Sequence, residues 1–145
     1  MIINMQIRDI MTSDVSTVAP NSTVNEAAQI MKNLNVGAVP VTNGAQPVGI
    51  ITDRDIAIRN TAVNGNANDQ VQNCMSSNLV YGNPEMSVEE AAQLMAENQI
   101  RRLPIVENGN LVGIVALGDL AVQDKSDMEA GNALSSISVP SKPQK

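Results

Sequence analysis

The sequence predicts a mixed α/β (α+β) fold. Two pseudo-symmetric repeats each run strand, helix, strand, strand, helix around a small sheet. Three observations carry this reading. Shifted by 64 positions, the chain falls on itself without a gap. Each copy has an apolar helical stripe behind a capping box, and each then has two apolar runs joined by an Asn/Gly turn. Between residues 11–57 and 75–121, fifteen of 47 pairs are identical, including Pro40/Pro104, Gly49/Gly113 and Asp55/Asp119. Alone, a unit of about 50 residues is too small to be robust, so the two are expected to pack sheet to sheet.

The elements follow in order. Thr17-Val18 is a short extended stretch before Pro20, and Tyr81 marks its counterpart before Pro84. Thr23-Val-Asn-Glu26 and Ser87-Val-Glu-Glu90 have the pattern in which a hydroxyl and a carboxylate satisfy free amides at a helix start. Val24, Ala27, Ala28, Met31 and Leu34 then recur at helical spacing, as do Val88, Ala91, Ala92 and Met95. The Ala27-Ala28 and Ala91-Ala92 pairs permit close helix approach. Ala38–Val41 and Leu103–Val106 read as strands, with turns at Asn43-Gly44 and Asn108-Gly109. Val48–Ile51 and Leu111–Val115 return, and second helices start near Asp53 and Gly118. The expected domains are residues 7–60, a linker at 61–70, residues 71–123 and a partly mobile tail at 124–145. Within the tail, Met128–Ile137 reads as a short helix.

Composition excludes several chemistries. The 145 residues include no His, which removes His-dependent triads, imidazole acid–base chemistry and His-ligated zinc. Cys74 is the single cysteine, so no internal disulfide exists, and it reads as a small core residue. Tyr81 is the single aromatic ring, which leaves no stacking platform for single-stranded nucleic acid. A net charge of −6 and a pI near 4.4 repel phosphate backbones, so no nucleic-acid partner is expected. No apolar run approaches the roughly 18 residues of a membrane span. The first residues lack a secretory pattern. The expectation is a cytoplasmic domain without a membrane partner.

One motif carries chemistry. In Gly49-Ile-Ile-Thr52-Asp-Arg-Asp55-Ile a strand stops, a hydroxyl follows and a helix begins. Helix starts present amides that favour phosphate, Thr52 offers a hydroxyl, and Asp55 suits the vicinal hydroxyls of a ribose. The structural alternative is that Thr-x-x-Asp only caps the helix. The second copy reads Val115-Ala116-Leu-Gly118-Asp119, without the hydroxyl. Four of the five arginines are Arg54, Arg59, Arg101 and Arg102, which together suggest a local anion site; surface salt bridging is the alternative.

The doubled unit, with Ile7-Arg-Asp-Ile-Met11, Asn35-Val-Gly-Ala-Val-Pro-Val41 and Gln99-Ile-Arg-Arg-Leu-Pro-Ile-Val106, resembles a tandem CBS domain pair, the Bateman module. It looks like the small stand-alone bacterial members. The resemblance implies an adenosine-containing ligand (AMP, ADP, ATP or a related adenosyl compound) in clefts between the repeats. It places Thr52 on phosphate or ribose and Asp55 on ribose hydroxyls, with Asp119 alone matching in the second copy. The base would lie against Gly37, Ala38, Val39 and Pro40, near Thr17, while Arg101 and Arg102 would meet phosphate beside Arg54. It further implies a homodimer, formed in part by the alanine-bearing helices.

These readings give a non-catalytic regulatory module that signals to a separate effector protein. The alternative is a structural or protein-interaction dimer with no small-molecule ligand. A third reading, a nucleotide hydrolase with Asp53 or Asp55 as base, lacks a recognised nucleophile or metal cluster. No cofactor is required, no resident metal site is expected, and Mg²⁺ would enter only with a bound phosphate beside Asp53 and Asp55.

Overall fold

The computed structural model describes residues 5–121. The tail and its expected short helix lie outside the described residues. The described chain divides into two compact units, one built from 16–79 with 109–111, the other from 80–108 and 112–121 with 5–15.

In the first unit, Thr23 caps α1 (Val24–Leu34). Its Oγ1 accepts from Glu26 N at 3.0 Å, and Glu26 Oε1 accepts from Thr23 N at 2.9 Å. The amides of Val24 and Asn25 donate to Asp69 O and Ala67 O at 2.8 and 2.9 Å. The helix therefore has its free first-turn amides satisfied, two of them by the segment at 61–70. That segment is itself held by Asn60, 6% exposed, whose Nδ2 donates to Asn66 O and Asp69 Oδ2 at 3.2 and 3.3 Å. Val24, Ala27 and Met31 are buried, as the stripe predicts. Leu34 is instead 54% exposed, because it is the last helical residue and Asn35 already turns left-handed behind it.

Strands β1 (Ala38–Asn43) and β2 (Gln46–Thr52) pair antiparallel, from Ala38↔Thr52 to Asn43↔Gln46. The loop residues are Gly44 and Ala45, one step later than the expected Asn43-Gly44. Only Gly44 has positive φ, at 65°, the pattern of a type II′ turn with glycine first. The expected first strand contracts to one parallel bridge, Val18↔Val41. On the other edge Ser76 bridges Ile50 antiparallel. Helix α2 (Asp53–Arg59) follows β2 directly.

The second unit repeats this plan with α3 (Val88–Asn98), β3 (Arg102–Glu107), β4 (Asn110–Ala116) and α4 (Leu117–Ala121). Ser87 and Glu90 form the expected capping box. Here Asn108 and Gly109 both have positive φ, as a type I′ turn requires. Ala91 and Ala92 are fully buried within this unit, so the close approach they permit is made there.

The units cut across the sequence repeats. The 3₁₀ turn Ile7–Asp9 opens the first repeat, yet Ile7 is buried with Met95, Leu103 and Leu120 of the second unit. The turn Val71–Asn73 opens the second repeat, yet Val71 and Cys74 join Val24, Met31 and Ile51 of the first unit. Matching bonds hold both turns: Ile7 N donates to Met86 O at 2.9 Å and Val71 N to Ser22 O at 2.8 Å. The shared glycines follow from the same crossing. A Cβ at Gly49 would lie 2.6 Å from Ser76 O, and one at Gly113 would lie 3.1 Å from Thr12 O.

Ile7→Ala is expected to cost about 2–5 kcal/mol, the range for a buried aliphatic truncation. Hydrogen exchange is expected to accelerate in residues 88–121 rather than in 24–59. Loss confined to 24–59 would mean that Ile7 packs with its own repeat.

Candidate functional site

The Thr52–Asp55 motif closes the sheet of the first unit. Thr52 Oγ1 accepts from Asp55 N at 3.0 Å, and Asp55 Oδ2 accepts from Thr52 N at 3.0 Å. This is a complete capping box, so the motif caps the helix whatever else it does. The other two amides of the turn are also taken: Asp53 N donates to Gly37 O at 2.9 Å and Arg54 N to Asp53 Oδ1 at 2.7 Å. The expectation that this helix start offers amides to a phosphate is therefore corrected. A sequence of three acceptors, Gly37 O, Asp53 Oδ1 and Thr52 Oγ1, consumes them.

Chemical capacity remains on the side chains. The Thr52 hydroxyl accepts one bond and keeps its own proton to donate. Asp55 keeps Oδ1, whose nearest cation is Arg59 Nε at 3.8 Å, and its side chain is 15% exposed. Ala38 pairs across from Thr52, and the Asp53 carboxylate stands over Gly37, where an added Cβ would lie 3.1 Å from Asp53 Oδ2. Gly37, Ala38, Thr52, Asp53, Asp55 and Arg59 thus form one cluster.

Other expected residues lie elsewhere or inside. Val39 and Pro40 are buried, Val39 at 1% exposure, so of the four middle-strand positions Gly37 and Ala38 present surface. Thr17 lies on the far edge of β1 from β2, roughly 10 Å or two strand spacings across the sheet from β2 and further along β1 from Ala38, the partner of Thr52. Its Oγ1 accepts from the buried Thr42 hydroxyl at 3.3 Å. There it lines an open hollow of about 510 Å³ with Ser22, Asn25, Gln29 and Thr42. This hollow does not include Thr52 or Asp55; Val18, Ala19 and Ile30 line it too, and among the described residues Glu26 is its one charged group and no cation faces it. Arg54 is exposed and makes no ion pair with another described residue.

The second unit holds Arg101, Arg102 and Asp119. Leu117 N donates to Arg101 O at 2.8 Å, reproducing the bond from Asp53 N to Gly37 O. Ala116 N donates to Asp119 Oδ2 at 3.4 Å, a longer half of the capping box with no hydroxyl to complete it. Arg101 is exposed and Arg102 half-buried, and neither pairs with another described acid.

Two features were not singled out from sequence: the Asp53 carboxylate over Gly37 and the contact of Arg59 with Asp55. The four-residue spacing of Asp55 and Arg59 was the legible signal for the second. Cys74 is buried, as expected, and burial pushes its thiol up from the ordinary value. The Asp55 and Asp69 carboxylates push the same way, and the Arg59 guanidinium opposes them. Among the described residues no group of three or more His, Cys, Asp or Glu could hold a metal. Nor is any described helix long and apolar enough to cross a membrane.

Comparison with known proteins fits this geometry. The CBS domain model matches residues 7–59 and 71–123. The CBS domain-containing protein YhcV of Bacillus subtilis is 56% identical over 132 residues, covering 91% of this chain and 94% of that protein. The crystal structure of Hypoxic Response Protein I with two coordinated zinc ions superposes with a TM-score of 0.76 at 32% identity, covering 82% of this chain and 98% of that one. The CBS domain pair of MJ0100, in complex with 5-methylthioadenosine and S-adenosyl-L-methionine, superposes with a TM-score of 0.75 at 26% identity, covering 86% and 99%. The chain belongs to the CBS domain family and carries a tandem pair of these domains.

Asp55→Asn removes one raising charge from beside Cys74 at constant size. Thiolate absorbance is expected to develop at lower pH than in the wild type, while burial still holds it above an exposed thiol. An unchanged or upward titration would separate Asp55 from the Cys74 environment.

Proposed function

We propose that this protein is a non-catalytic regulatory module that binds an adenosine-containing ligand. Asp55 Oδ1 takes the ribose hydroxyls, the Thr52 hydroxyl donates beside it, and Gly37 and Ala38 offer a flat surface to the nucleoside. The observation that carries this is a half-buried carboxylate whose Oδ1 meets only the loose Arg59 contact, next to a hydroxyl proton and a glycine strand entry. The adenosyl ligands of the MJ0100 CBS pair support the ligand class. Arg101 and Arg102, which pair with no described acid, are cations suited to an anionic group, and any Mg²⁺ would arrive through the ligand's phosphates. In this reading the protein acts in the cytoplasm as a homodimer, and an effector protein reads the ligand-induced population shift.

The complete capping box favours a second reading, a structural or interaction module with no ligand. There Thr52 and Asp55 do nothing beyond closing α2.

Titration calorimetry of the full chain with AMP, ATP and S-adenosyl-L-methionine separates the two. Binding of at least one is expected, weakened about tenfold or more by Asp55→Ala, or about 1.4 kcal/mol. Asp119→Ala is expected to weaken it less. Circular dichroism checks folding, since losing the cap costs about 0.5–2 kcal/mol. Absence of heat with all three ligands supports the structural module, and a larger effect at Asp119 moves the site to the second unit.

A further inference from the structure

Arg59 is the last residue of α2, one turn beyond Asp55. Its guanidinium touches two groups at once. Nε stands 3.8 Å from Asp55 Oδ1, and Nη1 donates to Met75 O at 3.3 Å. Because Asp55 Oδ2 is held by Thr52 N, Oδ1 is the oxygen left for a ligand, and Arg59 stands beside it. The contact is loose. Its distance exceeds a hydrogen bond, and the Arg59 side chain is 55% exposed, so solvent screens the pair and little opposes its release. The second contact reaches the segment that completes this unit's sheet: Ile50 N and Ser76 N each donate to the other residue's carbonyl at 2.9 Å. The second copy gives an internal contrast. The position equivalent to Arg59 is Gln123, and that of Thr52 is Ala116, so cation and hydroxyl are lost together while the acid remains.

We propose that Arg59 is a movable positioning residue. Without ligand it occupies Asp55 Oδ1 and ties it to the Met75 carbonyl; when ribose hydroxyls take Oδ1, the guanidinium turns to the phosphate of the same ligand. The proposal rests on the nucleotide reading above and adds two consequences to it. Arg59 sets the preference for a phosphorylated ligand over the bare nucleoside, because an uncharged nucleoside must displace the cation without giving it a new anion. Occupation is also felt at Met75–Ser76, shortly before the chain leaves this unit at Leu79.

The test compares AMP with adenosine by calorimetry on the full-length wild type, Arg59→Gln and Arg59→Lys, with hydrogen exchange on the ligand-free proteins. Arg59→Gln is expected to weaken AMP about tenfold and to leave adenosine unchanged or tighter. Arg59→Lys keeps a point charge but loses the fork, so it should retain part of the AMP preference. In both ligand-free variants the Ile50 and Ser76 amides should exchange several-fold faster. Equal weakening of AMP and adenosine would reduce Arg59 to a structural role, and unchanged exchange would overturn the tie to Met75. If the wild type binds neither compound, the nucleotide reading fails and the phosphate preference with it. The exchange result then decides the tie to Met75 separately.

Discussion

Neither half of this protein can complete its core from a contiguous stretch of chain. Ile7 and Val71, both fully buried, each fill the core of the unit built around the other repeat. A small domain has little apolar surface to spare, so a buried aliphatic residue plus the edge bridge it brings is a large share of its stability. The crossing also determines sequence at a distance. A Cβ at Gly49 would collide with Ser76 O at 2.6 Å, and one at Gly113 would meet Met11 Sδ at 2.5 Å and crowd Thr12 O at 3.1 Å. The conformational cost of glycine in a strand is thus offset by the pairing of the incoming segment.

The same economy governs the candidate site. Its first turn uses Gly37 O, Asp53 Oδ1 and Thr52 Oγ1 to satisfy its amides, so the backbone is closed to anions. What remains is one hydroxyl proton, one carboxylate oxygen and the nearby arginines. A ligand that brings both sugar hydroxyls and a negative group matches that inventory. A simple anion does not, since it would meet Asp53 and Asp55 before any free amide.

Much of the fold was legible because local chemistry and helical period agree. The capping boxes at Thr23 and Ser87, the buried stripes and both hairpins follow from residues a few positions apart. Even the turn offset is explained by the ungapped register, which aligns Gly44-Ala45 with Asn108-Gly109. The exchange of Ile7 and Val71 was not legible, since periodicity records which face is buried and not which unit buries it. Of the site, Thr52, Asp55, Gly37 and Ala38 were found together, because strand register fixes their proximity. Val39 and Pro40 were not recognised as buried, because alternation predicts one covered face and β1 is buried at four consecutive positions. The fold likewise separates Thr17 from the motif by a strand.

The two units share one backbone frame and differ in charge upon it. The bond from residue 53 to residue 37 recurs from 117 to 101 at nearly the same length. On that frame Gly37 with Asp53 becomes Arg101 with Leu117. The first pair is crowded, because a Cβ at residue 37 would lie 3.1 Å from the Asp53 carboxylate and push it aside. In the second, Leu117 is buried at 2% exposure, no carboxylate stands over the strand entry, and a long cation is accommodated there. Across positions 37, 38 and 52–55 the formal charge is −1, and across 101, 102 and 116–119 it is +1. Similar backbone with opposite formal charge makes the two copies chemically inequivalent surfaces, so a substitution tolerated at one is no guide to the other.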